Sequence, residues 1–565
     1  MVRDELAGLI YEAIKKAQRK GDLPRTAIPD VVVEHPKKGQ FGDYQTNQPL
    51  RMIADVNTTL KAAGQVPITP VELGQRIARR LPKAPFIGQA DVAPPGFINI
   101  RLDEAWLAQQ VEAILAAGET FGNVDRGHGK RVQVEFGSIN PTGPLHVGAG
   151  RNLALGDTLA NLLAAGGYQV QREYYVNDGG TQMDKLGESL YVRYRQALGH
   201  DDDLPEGGYR GQYVEDWAQD IAAQEGDRYL RLPREEAMIA LREVGLERAM
   251  AGIRRDCADM HITYDNWFSE RTLYTGGLFE QIMSILRQGD HLFVADGAVW
   301  FNLVALGADK NEVVIRSNGL PGYFASDIAY HYDKFVRRGF DWVIDVWGAD
   351  HQGHVPRMKA MMSALGLDPE RLTLYVYQLI TILEAGEQMR LSKRAGTQVN
   401  LRELLDDIGA DVLRFFLIAR AGESQMELDL DLARKESDEN PVYYVQYGHA
   451  RIASILRYAE EQGHSAAGAN VSLLTHPSEL ALIRKMLELP EAIAQAIDTL
   501  APHHLPHYAQ ELAATFHVFY RDCRVVSSEP GDGDITKARL RLAQAAKLVL
   551  GRTLALMGVS APEKM

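Results

Sequence analysis

The sequence predicts an α/β protein in three parts: a small α+β module, a central domain built on a parallel sheet, and an all-α helical bundle. A strand, a Gly/Pro-rich loop, a helix and a second strand follow one another between Arg131 and Val170, and this order is typical of a βαβ unit. Helical patterning is nearly continuous after Pro441. We therefore expect domains at residues 1–115, 116–436 and 437–565.

The N-terminal module is predicted from one helix and two strand-like runs. Leu6, Leu9, Ile10 and Ile14 lie on one face of an amphipathic helix. The β-branched run 31–33 and the alternating run 95–102 indicate strands. A helix combined with short strands over this length favours a small α+β module.

The central domain begins where apolar and polar residues alternate from Val132 to Phe136, which predicts a strand. The Gly/Pro loop 137–144 follows, and the next helix carries five leucines and ends at Gly166. A ligand is expected beyond the carboxyl end of this strand, because open parallel sheets bind their ligands there. The charged segment around 185–265 is predicted to be a mainly helical insertion.

The C-terminal part is predicted to be a bundle of helices separated by loops rich in Gly, Ser, Pro or Asp. Its four predicted helices are 443–458, 480–500, 504–526 and 537–557.

Composition restricts the class of protein. The chain has 565 residues, of which 45% are hydrophobic and 24% charged, as in ordinary globular proteins. It has no run of 18 apolar residues and no apolar signal-peptide core at its N-terminus, so we expect neither a membrane span nor export. Cys257 and Cys523 are too few for a disulfide framework or a metal cluster. We therefore expect buried thiols in a reducing cytoplasm.

Net charge differs sharply between the three parts. The whole chain carries −14, residues 1–102 carry +5, residues 440–565 are neutral, and the middle carries −19. One interpretation is chance variation among solvated faces. The other is that the parts meet different partners, with nucleic acid at the basic and neutral ends.

The first candidate motif is the segment 140–152, which lies where the first central strand turns into its helix. A helix N-terminus offers unpaired amides and a positive dipole, which suit phosphate. Gly148 and Gly150 would let a base or phosphate approach the backbone, and His146 is placed to donate to a phosphoryl oxygen. The alternative is a Gly/Pro turn with a capping histidine.

The second candidate motif is the basic loop 389–396, which precedes a predicted helix at 401–408. Lys393 is a candidate for reaching a triphosphate and stabilising pyrophosphate as it leaves. The alternative is a charged loop that is merely solvated.

Together the two motifs resemble the two signatures of class I aminoacyl-tRNA synthetases. Other parts of the chain narrow the resemblance to the arginyl-tRNA synthetase family, and it extends from the first module to the last residue. The segments that carry it are 140–152, 172–180, 323–327, 440–447 and 558–565.

The resemblance implies a Rossmann-like catalytic domain and an aminoacyl-tRNA ligase. L-arginine and ATP would form arginyl-adenylate, and the arginyl group would pass to the 3′-terminal adenosine of tRNA-Arg, with release of AMP and pyrophosphate. ATP with Mg²⁺ would be the substrate complex, with no permanently bound cofactor and no protein metal site. The implied protein is a cytoplasmic monomer whose flanking domains bind tRNA.

The resemblance also assigns residues to the site. The catalytic candidates are His146, Ser392 and Lys393. The ATP-binding candidates are His146, Gly148, Gly150, Gly348, Asp350, Arg390, Leu391, Ser392 and Lys393. The arginine-binding candidates are Ser138, Asn140, Glu270, Tyr323, Asp327 and His351, among which two carboxylates suit a guanidinium. The tRNA-binding candidates are Phe97, Asn99, Tyr443, Tyr444, Gln446, Tyr447 and His449.

The sequence departs from the family pattern at both signatures. Ala149 stands where the first signature ends in a second histidine, and the second signature begins Arg390-Leu391 instead of Lys-Met. We expect Gly150 or Arg151 to supply part of the missing contact. Two other hypotheses remain open: a catalytically silent tRNA-binding paralogue and another nucleotidylyltransferase of the same fold.

Overall fold

The computed structural model describes residues 1–37, 39–389 and 399–565. Its N-terminal module packs three helices on a three-stranded antiparallel sheet of order β1-β3-β2. As predicted, the first helix buries Leu6, Ile10 and Ile14. The elements are α1 Val2–Arg19, β1 Tyr44–Thr46, α2 Gln48–Ala62, α3 Pro70–Ala78, β2 Ile87–Ala93 and β3 Phe97–Leu102, followed by the connecting helix α4 Glu104–Ala117.

The strand expected at 31–33 is absent from this module, and that prediction was wrong. Glu34 alone forms a bridge, with Gln45. Prolines at 29 and 36 flank the run, and a proline cannot donate a ladder hydrogen bond. The run therefore follows the sheet edge without extending it.

The central domain contains the expected parallel sheet, with five strands in the order β11-β10-β4-β5-β6. These strands are β4 Arg131–Glu135, β5 Gln169–Val176, β6 Asn266–Ser269, β10 Trp342–Gly348 and β11 Leu372–Tyr377. Every pair is parallel, so all five carboxyl ends lie at one edge. The prediction of an α/β fold is confirmed.

Helices cover this sheet and form its insertion. They are α5 Val147–Ala165, α6 Gly180–Ala197, α7 Gln212–Glu225, α8 Arg234–Asp259, α9 Thr272–Thr275, α10 Leu278–Gln288, α11 Tyr323–Tyr332, α12 Val355–Ala364, α13 Leu401–Ile418 and α14 Leu430–Ala433. Two smaller sheets flank it, formed by β7 Leu292–Ala295, β8 Ala298–Phe301 and β9 Glu312–Ile315, and by β12 Ile380–Glu384, β13 Glu387–Gln388 and β14 Met426–Asp429.

The C-terminal bundle is helical as predicted, with α15 Pro441–Glu461, α16 Pro477–Leu487, α17 Leu489–Asp498, α18 His504–Asp522 and α19 Gly533–Leu556. The single helix expected at 480–500 is in fact two, which separate at Glu488. Pro490 lies in the first turn of α17, where its missing N–H costs no helical hydrogen bond. In the middle of one long helix the same proline would cost a hydrogen bond.

A buried carboxylate joins the N-terminal module to the bundle. Glu491 on α17 accepts from the hydroxyl of Tyr44 at 2.8 Å and lies 3.1 Å from Nε2 of His35. Arg484 on α16 pairs with Asp43 at 2.8 Å. The two flanking domains therefore contact each other as well as the catalytic domain.

Candidate functional site

The candidate active site lies at the carboxyl edge of the parallel sheet. The loop after β4 leads into α5, the loop after β5 leads into α6, and β10 ends at Gly348 beside them. The side chain of Asn140 donates to Gln182 at 2.8 Å, and Thr181 lies 3.4 Å from the Tyr323 hydroxyl. These contacts join the first motif to the N-termini of α6 and α11.

His146 is the N-cap of α5. Its Nδ1 accepts from the backbone N–H of Ala149 at 3.3 Å, and its backbone forms a bridge with Asn400. Gly148 leaves room for the imidazole, since a Cβ there would lie 3.0 Å from Cε1 of His146. The capping interpretation is thus correct, and it places the ring at the positive end of the helix.

Gly150 and Arg151 are held by packing and by backbone hydrogen bonds. A Cβ at Gly150 would lie 2.7 Å from Cδ1 of Leu401, so α13 packs closely against this residue. Arg151 is fully buried and donates to the backbone carbonyls of Gln378, Ala421 and Ser424. The expectation that either residue replaces the missing histidine stays a prediction.

Gly150→Ala should therefore lower stability rather than ATP affinity. Overpacking against Leu401 is expected to reduce the free energy of unfolding by about 1 kcal/mol, measured by urea denaturation, while the KM for ATP stays unchanged. The double variant Gly150→Ala/Leu401→Val should recover part of the loss. Unchanged stability together with a raised KM for ATP would instead favour contact with the nucleotide.

Glu270 is the centre of a polar cluster at the end of β6. Its Oε1 accepts from Ser326 at 2.6 Å, and the Asn177 amide, turned to suit its neighbours, donates to Oε2 at 2.7 Å. Burial raises the pKa of Glu270, although the hydroxyls of Ser326 and Tyr175 oppose this. Sequence reasoning missed Asn177 and Ser326 as individual residues, although both lie in the segments that carry the resemblance.

Asp327 completes the acidic pocket, one helical turn after Tyr323 on α11. Burial raises the pKa of Asp327 to about 7, and the nearby carboxylates of Glu135 and Glu270 add to this effect. Within residues 1–37, 39–389 and 399–565, neither Glu270 nor Asp327 has an ion-pair partner. The pocket thus holds two carboxylates that interact with each other and have no ion-pair partner in that part of the chain.

Tyr323 and Ser138, which are also expected to contact arginine, lie in different surroundings. Tyr323 is 74% exposed, and Arg316 lies 4.7 Å from its ring centre. The Ser138 hydroxyl already donates to Glu135 at 2.9 Å and accepts from the Tyr175 N–H at 3.0 Å. Ser138 therefore shapes the loop, with a φ of +49°, in addition to any contact with substrate.

The expected nucleotide residues on β10 lie on an exposed turn. Gly348 ends the strand, and Asp350 and His351 follow in a 3₁₀ turn with Nε2 of His351 3.6 Å from the Asp350 carboxylate. The His351 ring lies 5.9 Å from that of Trp347. The remaining nucleotide candidates, Arg390, Leu391, Ser392 and Lys393, lie outside the described residues.

The N-terminal tRNA candidates share the outer face of a sheet. Phe97 and Asn99 alternate along β3 with the buried Ile98 and Ile100. The side-chain oxygen of Asn99 is buried without a hydrogen-bond partner among the described residues. An aromatic ring and an unsatisfied amide oxygen, which its neighbours cover, therefore lie side by side on this face.

The C-terminal tRNA candidates divide into two groups. Gln446 and His449 are buried, and they bond to the C-terminal tail: Gln446 donates to the carbonyl of Ser560 at 3.0 Å, and Nδ1 of His449 lies 2.9 Å from that of Pro562. The tail thus engages polar groups of both side chains in this structure, and their expected role on an RNA-binding surface stays a prediction.

Tyr443, Tyr444 and Tyr447 are more accessible. Tyr443 and Tyr447 stack at 6.2 Å with planes 8° apart, and Tyr444 meets the ring of His517 at 5.1 Å. Tyr447 opens onto a groove of about 930 Å³ between α15 and α18. Five described cations line this groove: Arg451, Arg457, Arg521, Arg524 and Lys564. No acidic residue is among the described residues of the lining.

No helix among the described residues combines the length and apolarity that crossing a bilayer requires. No group of three or more His, Cys, Asp or Glu side chains there is arranged to hold a metal ion.

Three family models match the chain in succession. Residues 4–102 match the arginyl tRNA synthetase N terminal domain, residues 110–415 match the catalytic domain of class I (R) tRNA synthetases, and residues 445–565 match the DALR anticodon binding domain.

Known proteins are similar over the whole length. An arginine–tRNA ligase of Dehalococcoides mccartyi is 49% identical over 98% of both chains, and one of Heliobacterium modesticaldum is 42% identical over 100% of this chain and 99% of its own. The solved arginyl-tRNA synthetase of Thermus thermophilus shares the fold, with a TM-score of 0.76 and 23% identity over all of both chains. Full-length similarity at this level, over all three domains, shows that the chain belongs to the arginyl-tRNA synthetase family.

Proposed function

We propose that the protein activates L-arginine with ATP and transfers the arginyl group to the 3′ end of tRNA-Arg. The observation that carries this proposal is the pair of carboxylates, Glu270 and Asp327, neither of which has an ion-pair partner among the described residues. A guanidinium is planar and always charged, so paired carboxylates suit it. The N-terminus of α5, at the carboxyl edge of the parallel sheet, suits the phosphates of ATP. Membership of the family supports the same reaction.

The chemistry has two steps. The arginine carboxylate attacks the α-phosphorus of ATP, which is bound as its Mg²⁺ complex, and pyrophosphate leaves. A ribose hydroxyl of the terminal adenosine of the tRNA then attacks the carbonyl carbon of arginyl-adenylate. The hydroxyl loses its proton, and AMP leaves. Positioning and charge stabilisation dominate both steps, so no covalent enzyme intermediate is required.

His146, Ser392 and Lys393 are proposed to act on the phosphates. His146 donates from Nε2 to a phosphoryl oxygen while Nδ1 keeps its cap bond to Ala149, and this division of roles uses both ring nitrogens. Ser392 and Lys393 follow from the second motif. Gly348 and Asp350, together with His351, contribute to the boundary between nucleotide and amino acid.

Two surfaces are proposed to bind tRNA. The outer face of β3 offers Phe97 for stacking and Asn99 for a base hydrogen bond. The groove beside Tyr447 offers rings and arginines, which suit unstacked bases and phosphates. Boundaries at 1–115, 116–436 and 437–565 would separate these surfaces from the catalytic domain, and the family-model ranges support them.

Arginine use should depend on pH near neutrality. The pKa of Asp327 is about 7, and the ionised carboxylate is the form that binds a cation. The kcat/KM for arginine is therefore expected to fall about tenfold per unit below pH 7 and to level off above it, since this ratio reports the free enzyme. Asp327→Asn should remove this acid limb. A flat profile between pH 6 and 8 in the unmodified protein would contradict the assignment.

Phe97→Ala should weaken tRNA use selectively. Loss of one stacked base is expected to raise the KM for tRNA-Arg about tenfold, with the KM for arginine unchanged, in aminoacylation assays at fixed salt. Arg101→Ala, on the same strand and face, tests whether charge alone accounts for the effect. An unchanged KM for tRNA would remove Phe97 from the interface.

Arginylation of tRNA-Arg with radiolabelled arginine, with arginine-dependent pyrophosphate exchange run with and without tRNA, tests the proposed function. We expect charging, and exchange that requires tRNA. No charging with retained tRNA binding would favour the silent paralogue, and exchange without any charging would favour another nucleotidylyltransferase. The pocket carboxylates and His146 argue against a silent copy, which would not need them.

A further inference from the structure

Four charged side chains lie beneath the arginine pocket, between α11 and the sheet. Nζ of Lys334 donates to Glu135 at 2.6 Å and to Oδ1 of Asp345 at 2.8 Å. Oδ2 of Asp345 lies 2.8 Å from Nε2 of His331. None of the four is more than 9% exposed. We call Glu135, His331, Lys334 and Asp345 the floor cluster.

The partners of His331 assign its protonation. Nδ1 lies 2.7 Å from the backbone carbonyl of Asp327, and a carbonyl can only accept. Nε2 faces the Asp345 carboxylate, which also accepts. Both nitrogens must therefore carry protons, so His331 is an imidazolium. The floor cluster then contains the cations of His331 and Lys334, which face the carboxyl groups of Asp345 and Glu135; burial raises the pKa of Glu135, although Lys334 opposes this.

The state of Asp345 agrees with this assignment. Its burial alone would raise its pKa, but Lys334 and His331 outweigh burial and hold the pKa of Asp345 well below its usual range. An ionised Asp345 is the acceptor that the proton on Nε2 of His331 requires.

Stability does not account for the floor cluster. Apolar side chains of similar volume stabilise a buried helix–sheet contact as well as or better than an ion network. The cluster does act on the pocket above it: His331 favours the ionised form of Asp327, whereas burial and the carboxylates of Glu135, Glu270 and Asp345 oppose it. The charged groups around His331 are Asp327 on α11, Lys334 in the following turn, Glu135 on β4 and Asp345 on β10, with Glu173 of β5 beyond Lys334.

We propose that His331 is a positioning residue for amino-acid specificity, whose positive charge makes the pocket select the guanidinium of arginine over the neutral urea group of citrulline. The inference rests on the proposed function, since it assumes that arginine lies between Glu270 and Asp327. Citrulline has the same length as arginine but carries an oxygen in place of one nitrogen. An ionised Asp327 accepts from a guanidinium, whereas a protonated Asp327 donates to the urea oxygen.

Competition between arginine and citrulline tests the proposal. Aminoacylation of tRNA-Arg would be measured at pH 7 with L-citrulline as inhibitor for the unmodified protein, His331→Gln and His331→Asn. Each variant keeps one hydrogen bond of the imidazole but no charge. We expect the KM for arginine to rise about fivefold, because a pKa rise of one unit from about 7 lowers the ionised fraction of Asp327 at pH 7 from about one half to about one tenth, and citrulline to inhibit more strongly. The kcat and the KM for tRNA should stay unchanged.

Further variants separate charge from packing. His331→Lys returns a cation beside Asp345 and should restore the arginine-to-citrulline ratio, and assay at pH 8.5 should lower the KM for arginine of His331→Gln towards that of the unmodified protein. If the His331 variants do not fold, the arginine-to-citrulline ratio of the unmodified protein is measured between pH 6 and 8, where it should rise with pH as Asp327 loses its proton.

Three results would overturn the proposal: an unchanged ratio in a folded His331→Gln, a ratio in the unmodified protein that does not change between pH 6 and 8, or a ratio in His331→Lys as low as in His331→Gln. Absence of arginylation by the unmodified protein would instead refute the proposed function, so the two failures are distinguishable.

Discussion

Replacing Asp327 with alanine is expected to raise the KM for arginine about 100-fold. Asp327 would be one of two carboxylates paired with the guanidinium, and removing one partner of a buried charge pair costs about 3–5 kcal/mol, where 1.4 kcal/mol is tenfold. The KM for ATP and the dissociation constant for tRNA-Arg should change little. Steady-state aminoacylation with each substrate varied in turn measures these effects.

Two controls make this result specific. Asp327→Asn keeps the size of the side chain and should show most of the loss, because the charge is what the guanidinium needs. Glu280→Ala removes an exposed carboxylate from α10 and should leave the KM for arginine unchanged. An Asp327→Ala protein with ordinary arginine affinity would show that the amino acid binds elsewhere.

Replacing His146 with asparagine is expected to lower kcat by about 10²- to 10³-fold, the usual cost of removing one hydrogen-bond donor to developing charge. Asparagine is a good N-cap, so the acceptor for the Ala149 N–H is kept and α5 should begin as before. Single-turnover formation of the adenylate measures the effect on the chemical step.

His146→Ala is the matched comparison, because it removes both the cap and the donor. Its kcat should fall as in His146→Asn, while its free energy of unfolding should fall by about 1 kcal/mol more. If His146→Asn restores kcat as well as stability, the histidine is a cap alone and another group acts on the phosphates.

The local sequence pattern was enough to predict the strand and the helix between which the first motif lies. The alternation before Phe136 and the leucines after it describe β4 and α5 because one strand and one helix must each bury a face. The two carboxylates of the pocket could be identified only through the resemblance to the arginyl-tRNA synthetase family. Glu270 and Asp327 belong to segments joined by tertiary packing, and nothing local distinguishes them from surface carboxylates.

Sequence reasoning failed where a distant part of the chain supplies the partner. Gln446 and His449 face the tail near Pro562, and no helical pattern shows that a tail folds back. Lys334 would be expected at the surface, yet it is buried between Glu135 and Asp345. A partner that lies on another strand cannot be identified from sequence spacing, because only the folded sheet sets which strands are neighbours.

Because Glu491 contacts Tyr44 and His35, the stability of the last domain depends on the first domain. Glu491 is 6% exposed in the intact chain, and residues of the first domain, His35 and Tyr44, are its partners. A truncated chain without its first 102 residues would therefore lose these partners and uncover the face of α17 that carries Glu491. The two ends of the polypeptide, though furthest apart in synthesis, are expected to unfold as one cooperative unit.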